Sequence, residues 1–412
     1  MGTLSNVDAL GARAEEMIEA LGVISAEPGR LVRRFLTPEH RCAAELVAML
    51  MRDAGLSVDE DALGTVRGRL AGAGARRLLV GSHIDTVANA GKYDGPLGVV
   101  AGILAAGHFA VSGRTPPVGI DVLAFGDEEG SRFPTTLASS SAVAGQFDVA
   151  RLQQVDDDGV TLADAFVAYG KEPRAIPDAA YRRDEVAAYV EVHIEQGPVL
   201  ETCGQPLGVV TAIVGQTYLE VELVGEAGHA GTVPMDLRRD ALAGAAEIVG
   251  LTEELGRSSR DTVATIGRLS VAPNAPNVIP SRVALTLDLR SASDEVRDEI
   301  AGRFRAGVQA IADRRRLGLT ITQTRDVRTT ICHPRLQDQL AAAVAAVGAE
   351  PPRLASGAGH DGQAMAALCP VGMLFVRCRG GISHNPLEYA SPRDMGLAVA
   401  ALIAFIERFE ML

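Results

Sequence analysis

Residues 81–94 bring an imidazole and two carboxylates close together in the sequence, as His83, Asp85 and Asp94. His83 and Asp85 follow Leu78-Leu79-Val80, a short apolar run that predicts a buried strand, so both lie at or just past its carboxyl end. Open α/β sheets bind their ligands at that end of the strands. The two side chains either face one ligand together, or the carboxylate fixes the orientation of the imidazole, as metal-binding histidines usually require.

Asp94 lies in the loop that follows, and Pro96 then begins an apolar segment, 97–109, that predicts a packed helix. A further ligand at this turn from strand to helix fits the pattern. The alternative is that His83 is a surface histidine and that Asp94 caps the helix.

Acidic and imidazole side chains also follow two other apolar runs. Glu128 and Glu129 come directly after the predicted strand 118–125, where burying adjacent carboxylates is costly unless a cation compensates. A metal ion would supply that cation. His384 lies in a loop after the predicted strand 371–376, although taken singly it could equally be a surface turn residue.

Residues 190–195 alternate as a strand, which places Glu191, His193 and Glu195 on one face. His193 is therefore a further candidate ligand, although a single histidine in a strand is more often structural. A glycine-rich loop at 356–362 is typical of turns that receive an anion, but it lacks the Lys-Ser/Thr ending of a P-loop.

Residues 216–328 have a different character from the flanking chain. Their pattern predicts the order strand, helix, strand, strand, helix, strand, which is that of a ferredoxin-like domain. We therefore predict an α/β fold with a discontinuous catalytic domain, 1–215 and 329–412, into which this domain is inserted. The remaining helices are predicted over 8–55, ending near Gly55, and as an amphipathic closing helix over 394–410.

The composition excludes several classes of protein. With 412 residues the chain is long enough for two domains, and its net charge of −13 opposes binding to nucleic acid. No apolar run reaches the length of a membrane helix, and the first residues lack the pattern of a secretion signal, so we expect a cytoplasmic protein. Five scattered cysteines indicate neither a disulfide framework nor a zinc ribbon.

Imidazoles and carboxylates that recur at strand ends suit zinc, manganese or cobalt. The chain resembles the hydantoinase/carbamoylase branch of the M20 metallopeptidase-like amidohydrolases. The motifs that carry this resemblance occur in order along nearly the whole sequence. These are Gly-Ser-His-Ile-Asp-Thr at 81–86, Tyr-Asp-Gly at 93–95, Glu-Glu-Gly-Ser-Arg-Phe at 128–133, His-Ile-Glu-Gln-Gly at 193–197, Gly-His-Ala-Gly-Thr-Val-Pro-Met at 228–235, Ser-Gly-Ala-Gly-His-Asp at 356–361 and Gly-Ile-Ser-His at 381–384.

The resemblance implies a centre of two divalent metal ions bridged by Asp94. Zinc is favoured, with manganese, cobalt or nickel as alternatives. Glu128 would be the general base towards a metal-activated water. Asp85 and His360 would support the ligands from behind. The implied metal ligands are His83, Asp94, Glu129, His193 and His384.

The resemblance also assigns residues to the substrate. Arg290 would bind a substrate carboxylate through its planar fork, and His229 would donate a hydrogen bond to the developing oxyanion. Gln216 is similar to the residue of the allantoate-hydrolysing members, whereas the segment 375–379 is similar to the N-carbamoyl-amino-acid hydrolases. Further substrate contacts are implied for Gln196, Asn277, Gly357 and Gly359.

These features imply an amidohydrolase that cleaves the carbamoyl C–N bond of a linear ureido acid, either allantoate or an N-carbamoyl-L-amino acid. The resemblance further implies homodimers formed through the inserted domain, which would also act as a lid. Two alternatives stay open. One is an M20-type aminopeptidase or aminoacylase, and the other is a metal-dependent ligand-binding protein on the same fold.

Overall fold

The computed structural model describes residues 6–412. The chain divides into two compact units, which we call unit 1 (residues up to Thr211, and Ile331–Leu412) and unit 2 (Ala212–Thr330). The strands are β1 (Ser57–Glu60), β2 (Val66–Leu70), β3 (Arg77–His83), β4 (Gly119–Phe125), β5 (Val186–Ile194), β6 (Leu207–Ile213), β7 (Gly215–Val224), β8 (Thr262–Ala272), β9 (Arg282–Ser291), β10 (Gly318–Val327), β11 (Thr330–Ile331), β12 (Arg353–Ser356) and β13 (Val371–Val376).

Eleven α-helices accompany these strands within the described residues. They are α1 (Val7–Gly22), α2 (Pro38–Asp53), α3 (Pro96–Ser112), α4 (Ala138–Val143), α5 (Leu162–Ala168), α6 (Val199–Thr202), α7 (Ala241–Arg257), α8 (Asp294–Arg315), α9 (Pro334–Ala346), α10 (Gly362–Met365) and α11 (Pro392–Glu407). No helix within residues 6–412 combines the length and apolar character that crossing a membrane requires.

Unit 1 is built on a nine-stranded mixed sheet of order β1-β2-β4-β3-β5-β13-β6-β11, with β12 paired to β6. The central strands β4, β3, β5 and β13 are parallel to one another. Leu78 and Val80 pack on one face of the sheet and Leu79 on the other, as the two-residue period of a strand requires. The prediction of an α/β fold is confirmed.

The parallel strands all end at the same edge of the sheet. His83 is the last residue of β3, His193 lies one residue before the end of β5, and residues 126–129 follow β4 directly. His384 follows β13 after a short connection. Because the carboxyl ends of parallel strands share one edge, side chains from four distant parts of the sequence meet there.

The prediction of helices over 8–55 is confirmed by α1 and α2. In the connection between them, the buried Arg33 side chain donates hydrogen bonds to the carbonyl oxygens of Leu21, Ile24 and Ile84. The prediction that the last helix is amphipathic is wrong. All residues of α11 from Asp394 to Ile406 are buried, because α1, α3 and α9 pack around it.

Unit 2 contains β7, α7, β8, β9, α8 and β10 in that order, with a four-stranded antiparallel sheet of strand order β10-β7-β9-β8. Alternate residues of β9, such as Leu285, Leu287 and Leu289, are buried in one core with the apolar faces of α7 and α8. The intervening residues, which include Asp288 and Arg290, lie on the other face of the sheet.

Candidate metal centre

Asp94 lies at the centre of the cluster at the strand ends. Its Oδ1 atom is 3.1 Å from Nε2 of His193 and 3.6 Å from Nε2 of His83, and all three side chains are buried. Two nitrogen or oxygen ligands of one tetrahedral zinc ion lie about 3.3 Å apart. The two distances from Asp94 are therefore those expected between ligands of a single ion, and all three ligand atoms lie within 4.8 Å of one another.

The hydrogen bonds of the two imidazoles test whether a cation fits between them and Asp94. Nδ1 of His83 is 3.1 Å from the carbonyl oxygen of Asp85, and Nδ1 of His193 is 2.9 Å from that of Ile194. Because a carbonyl can only accept, each Nδ1 carries a hydrogen, and each ring in its neutral form presents the lone pair of Nε2 to the carboxylate. Lone pairs facing a carboxylate need a cation between them, so the donor set fits a metal ion.

A proton can take the place of the cation between an imidazole and Asp94, as the shifted pKa values of His83 and Asp94 indicate. Burial alone would lower the pKa of His83, but hydrogen bonds to Asp85 and Asp94 raise it well above the ordinary value. Burial would raise the pKa of Asp94, but hydrogen bonds from His193, His384 and His83 hold it well below its usual range. Asp94 is therefore a carboxylate that stays ionised in a buried site.

A second group of possible ligands faces the other oxygen of Asp94. Oδ2 of Asp94 is 3.2 Å from Nε2 of His384, which is 3.5 Å from Oε2 of Glu129. The hydrogen bond to Asp94 raises the pKa of His384 to about 9, while burial and the nearby Asp94 raise that of Glu129 to about 7. The two oxygens of Asp94 thus serve two different ligand groups, which is the arrangement that a bridging carboxylate has.

Glu128 lies beside these ligands, with Oε2 3.9 Å from Nε2 of His83. Burial raises its pKa well above the ordinary value, against the opposing charge of His83, and Glu129 raises it further. The glycine-rich loop at 356–362 passes close to this carboxylate. A Cβ atom on Gly359 would lie 3.7 Å from Oε1 of Glu128. A carboxyl group with a raised pKa beside a metal centre can accept and release a proton near neutral pH.

Asp85 supports both sides of the cluster. Its two oxygens accept hydrogen bonds from the backbone N–H groups of Glu128 and Glu129, each at 3.2 Å, and Oδ1 is 3.5 Å from Nδ1 of His83. The carboxylate of Asp85 therefore fixes the backbone that carries both glutamates, while its backbone carbonyl oxygen orients the ring of His83.

Gln196, for which the family resemblance implies a substrate contact, lies against Asp94. Its Nε2 donates a hydrogen bond to Oδ2 of Asp94 at 2.8 Å and is 3.2 Å from Oγ of Ser383. Ser383 in turn lies 2.9 Å from Oδ2 of Asp94 and from Oε2 of Glu388. The sequence did not single out Ser383 or Glu388, and no periodicity or spacing marks Glu388, which follows His384 by four residues.

His360 packs behind the cluster, with its ring centroid 4.4 Å from that of His193 and Nε2 2.7 Å from Oγ of Ser356. The amide of Gly362, which begins the short helix α10, donates to the buried carboxylate of Glu191. The loop that the sequence marks as typical of an anion-receiving turn therefore binds a carboxylate of the protein itself, that of Glu191.

Glu195 and Arg377 have local structural partners. The two oxygens of Glu195 accept hydrogen bonds from the N–H groups of Val199 and Leu200 at the start of α6. Arg377, in the segment 375–379 that suggested one substrate class, pairs with the carboxylate of Asp394 in α11.

The substrate residues expected in unit 2 come in two pairs. Gln216 and Arg290 are directly opposite each other on neighbouring antiparallel strands. In this structure Nε and Nη2 of Arg290 contact the carboxylate of Asp288. The second pair links two loops, because the N–H of Ala230, next to His229, donates to the carbonyl oxygen of Asn277.

This fold, with imidazoles and carboxylates gathered at the ends of its parallel strands, is that of the metallopeptidase-like hydrolases. The chain belongs to peptidase family M20/M25/M40, whose model matches residues 79–408. It is 41% identical to an N-carbamoyl-L-amino acid amidohydrolase of Geobacillus stearothermophilus over 395 residues, which cover 95% of this chain and 97% of the relative. It is 40% identical to an allantoate deiminase of Arabidopsis thaliana, covering 95% and 81%.

A solved structure of a hydantoinase/carbamoylase family amidase from Burkholderia multivorans superposes with a TM-score of 0.91 at 32% identity and covers 98% of each chain. The resemblance to this branch of the family is therefore confirmed. The chain is a hydrolase that acts on C–N bonds.

Proposed function

We propose that the chain hydrolyses the carbamoyl C–N bond of a linear ureido acid at a centre of two divalent metal ions. The observation that carries the metal centre is that the two oxygens of Asp94 face different ligand groups, His83 with His193 and Glu129 with His384. The substrate class is supported by the relatives, because an N-carbamoyl-L-amino acid and allantoate both combine a ureido group with a carboxylate.

The protein's own residues divide the work of this reaction. His83, Asp94, Glu129, His193 and His384 would hold the two ions, which when bound would supply Lewis acidity and a water of lowered pKa. Glu128 would take a proton from that water and pass it to the leaving nitrogen, and its raised pKa suits both transfers. Asp85 would keep the backbone of Glu128 in place through its hydrogen bonds.

Unit 2 would supply the substrate contacts and act as a lid. Arg290 would bind the substrate carboxylate with its fork, assisted by Gln216 on the neighbouring strand, while His229 and Asn277 would bind the polarised carbonyl group. Closure would then complete the site and exclude water, and homodimerisation would take place through the same unit.

The test is ammonia release from allantoate and from a set of N-carbamoyl-L-amino acids, after removal of metal and after addition of zinc, manganese, cobalt or nickel. We expect turnover of at least one ureido acid that requires added metal. The Glu128→Gln protein, loaded with the same metal, is the control for contaminating activity. Metal-independent turnover, or no turnover of any ureido acid by metal-loaded protein, would contradict the proposal.

A further inference from the structure

We propose that Glu388 is a positioning residue that joins the loops of Asp94 and His384 and so sets the affinity of the metal position formed by Asp94, Glu129 and His384. This inference rests on the proposed metal centre. It concerns a residue that touches none of the reacting groups and acts only through its neighbours.

The contacts of Glu388 connect two loops that are distant in sequence. Oε1 accepts hydrogen bonds from the backbone N–H groups of Tyr93 and Asp94, at 2.9 and 3.0 Å. Oε2 accepts a hydrogen bond from the hydroxyl of Ser383 at 2.9 Å. Glu388 is only 5% exposed, so these three donors replace water around its carboxylate. The side chain therefore fixes the backbone of one metal ligand, Asp94, and the residue before another, His384.

The loop before Asp94 is shaped to receive this side chain. A Cβ atom on Gly91 would lie 2.3 Å from the carboxyl carbon of Glu388, closer than any real side-chain contact. Glycine at this position thus allows the carboxylate to approach the backbone. Substituting Gly91 would displace the glutamate from its two amide donors.

Ser383 transmits the effect of Glu388 to the metal ligand. Its hydroxyl has a single hydrogen but lies 2.9 Å from both Oε2 of Glu388 and Oδ2 of Asp94. Oε2 of Glu388 and Oδ2 of Asp94 therefore compete for that hydrogen. Oδ2 of Asp94 consequently keeps more of its electron density for a metal ion, because a carboxylate oxygen that accepts fewer hydrogen bonds is the stronger ligand.

The Glu388→Gln variant separates this effect from a loss of structure. The amide oxygen of the variant can still accept from Tyr93 and Asp94, while its NH₂ group would donate to Ser383. The hydroxyl of Ser383 would then give its hydrogen wholly to Asp94. We expect one of the two ions to bind about 10- to 100-fold more weakly, the usual effect of losing a partner behind a metal ligand, and the other ion to bind as before.

Asp61→Asn is the matched control. Oδ1 of the buried Asp61 also accepts two backbone hydrogen bonds, from Leu63 and Thr65 at 2.9 and 3.0 Å, at the turn between β1 and β2. Both substitutions turn a buried carboxylate into an amide that can keep two backbone donors. A general effect of neutralising such a carboxylate would appear in both variants, whereas an effect through the metal ligands would appear only at Glu388.

The experiment is competition titration with a chromophoric chelator on metal-free protein, which gives the stoichiometry and both dissociation constants, together with thermal unfolding. Ser383→Ala and the double variant complete a double-mutant cycle. We expect the effect of Glu388→Gln to shrink in the Ser383→Ala background, and Asp61→Asn to bind both ions as the wild type does.

Wild-type dissociation constants in the folded Glu388→Gln protein would overturn the inference, even if its unfolding temperature fell. An undiminished effect in the Ser383→Ala background would overturn the transmission through Ser383. If Glu388→Gln does not fold, Ser383→Ala carries the test, and unchanged affinity for both ions in that variant would overturn the inference. A wild-type protein that binds fewer than two ions would instead contradict the proposed metal centre itself.

Discussion

Replacing Asp85 with asparagine tests how the cluster is held in place. Each oxygen of Asp85 accepts one backbone hydrogen bond, from Glu128 and from Glu129, and the side chain is fully buried. The NH₂ group of the variant must therefore face one of these N–H donors, whichever way the amide is turned. One buried donor would be left without an acceptor, at a cost of roughly 1–3 kcal/mol in the free energy of unfolding.

The same substitution removes a buried negative charge beside Arg33 and His83. Burial lowers the pKa of Arg33 to about 10, and Asp85 partly offsets this effect. The Nδ1 hydrogen of His83 keeps the backbone carbonyl oxygen of residue 85 as its acceptor, but the ring loses the nearby carboxylate. The same carboxylate also holds the backbone of Glu129, a proposed metal ligand. Losing such a partner behind metal ligands typically weakens metal binding 10- to 100-fold, which is roughly 1.4–2.7 kcal/mol.

The assay compares Asp85→Asn with Glu195→Gln, a control with the same local chemistry. Both oxygens of Glu195 also accept one backbone hydrogen bond each, but its donors belong to α6 and not to the cluster. We expect both variants to lose comparable stability in chemical unfolding, and only Asp85→Asn to lose metal affinity and kcat. Equal metal affinity in the two variants would refute the assignment of Asp85 as the support of His83 and Glu128.

Three further predictions concern the general base, the binding of the substrate carboxylate and the pH dependence of metal binding. Glu128→Gln should lower kcat by about 10²- to 10⁴-fold with metal content unchanged, because the amide cannot accept a proton. Arg290→Lys should raise KM for ureido acids by about 10- to 100-fold without loss of metal, because lysine lacks the planar fork. Metal binding requires deprotonated ligands, and the pKa values of His384 and Glu129 in the metal-free protein are about 9 and about 7. Affinity for one ion should therefore fall as the pH drops through about 9, and fall more steeply below about 7.

Each of these predictions has an outcome that contradicts it. Normal turnover by Glu128→Gln, measured as ammonia release, would remove Glu128 from the mechanism. If Arg290→Lys has the wild-type kcat/KM on every ureido acid tried, Arg290 does not bind the substrate carboxylate. Metal affinity that does not change between pH 6 and 9, measured by calorimetry in buffers of different ionisation enthalpy, would contradict the assignment of His384 and Glu129 as ligands.

The sequence predicts the fold and the cluster well where the signal is local. Apolar runs that end in His83, Glu128 and His193 mark strand ends, and parallel strands bring such ends to one edge of the sheet. The alternation does not reveal the partners of Glu195, because the backbone turns at Gln196, just after the strand ends, and brings the N–H groups of Val199 and Leu200 to its carboxylate. The alternation of side chains along a strand therefore predicts no contacts beyond the last residue of that strand.

Two other features depend on contacts that no local pattern encodes. The burial of α11 on all sides follows from the packing of α1, α3 and α9 around it, which is decided by the order of elements in space. The role of Glu388 follows from two amides almost 300 positions earlier in the chain, those of Tyr93 and Asp94. A glutamate in a loop is by itself most often a solvated surface residue.

Anomalous scattering from crystals of the zinc-loaded protein shows whether Asp94 bridges two metal ions. We expect two peaks, both in contact with Asp94, one within bonding distance of His83 and His193 and the other within bonding distance of Glu129 and His384. A single peak, or two peaks that do not share Asp94, would show that Asp94 is not a bridging ligand.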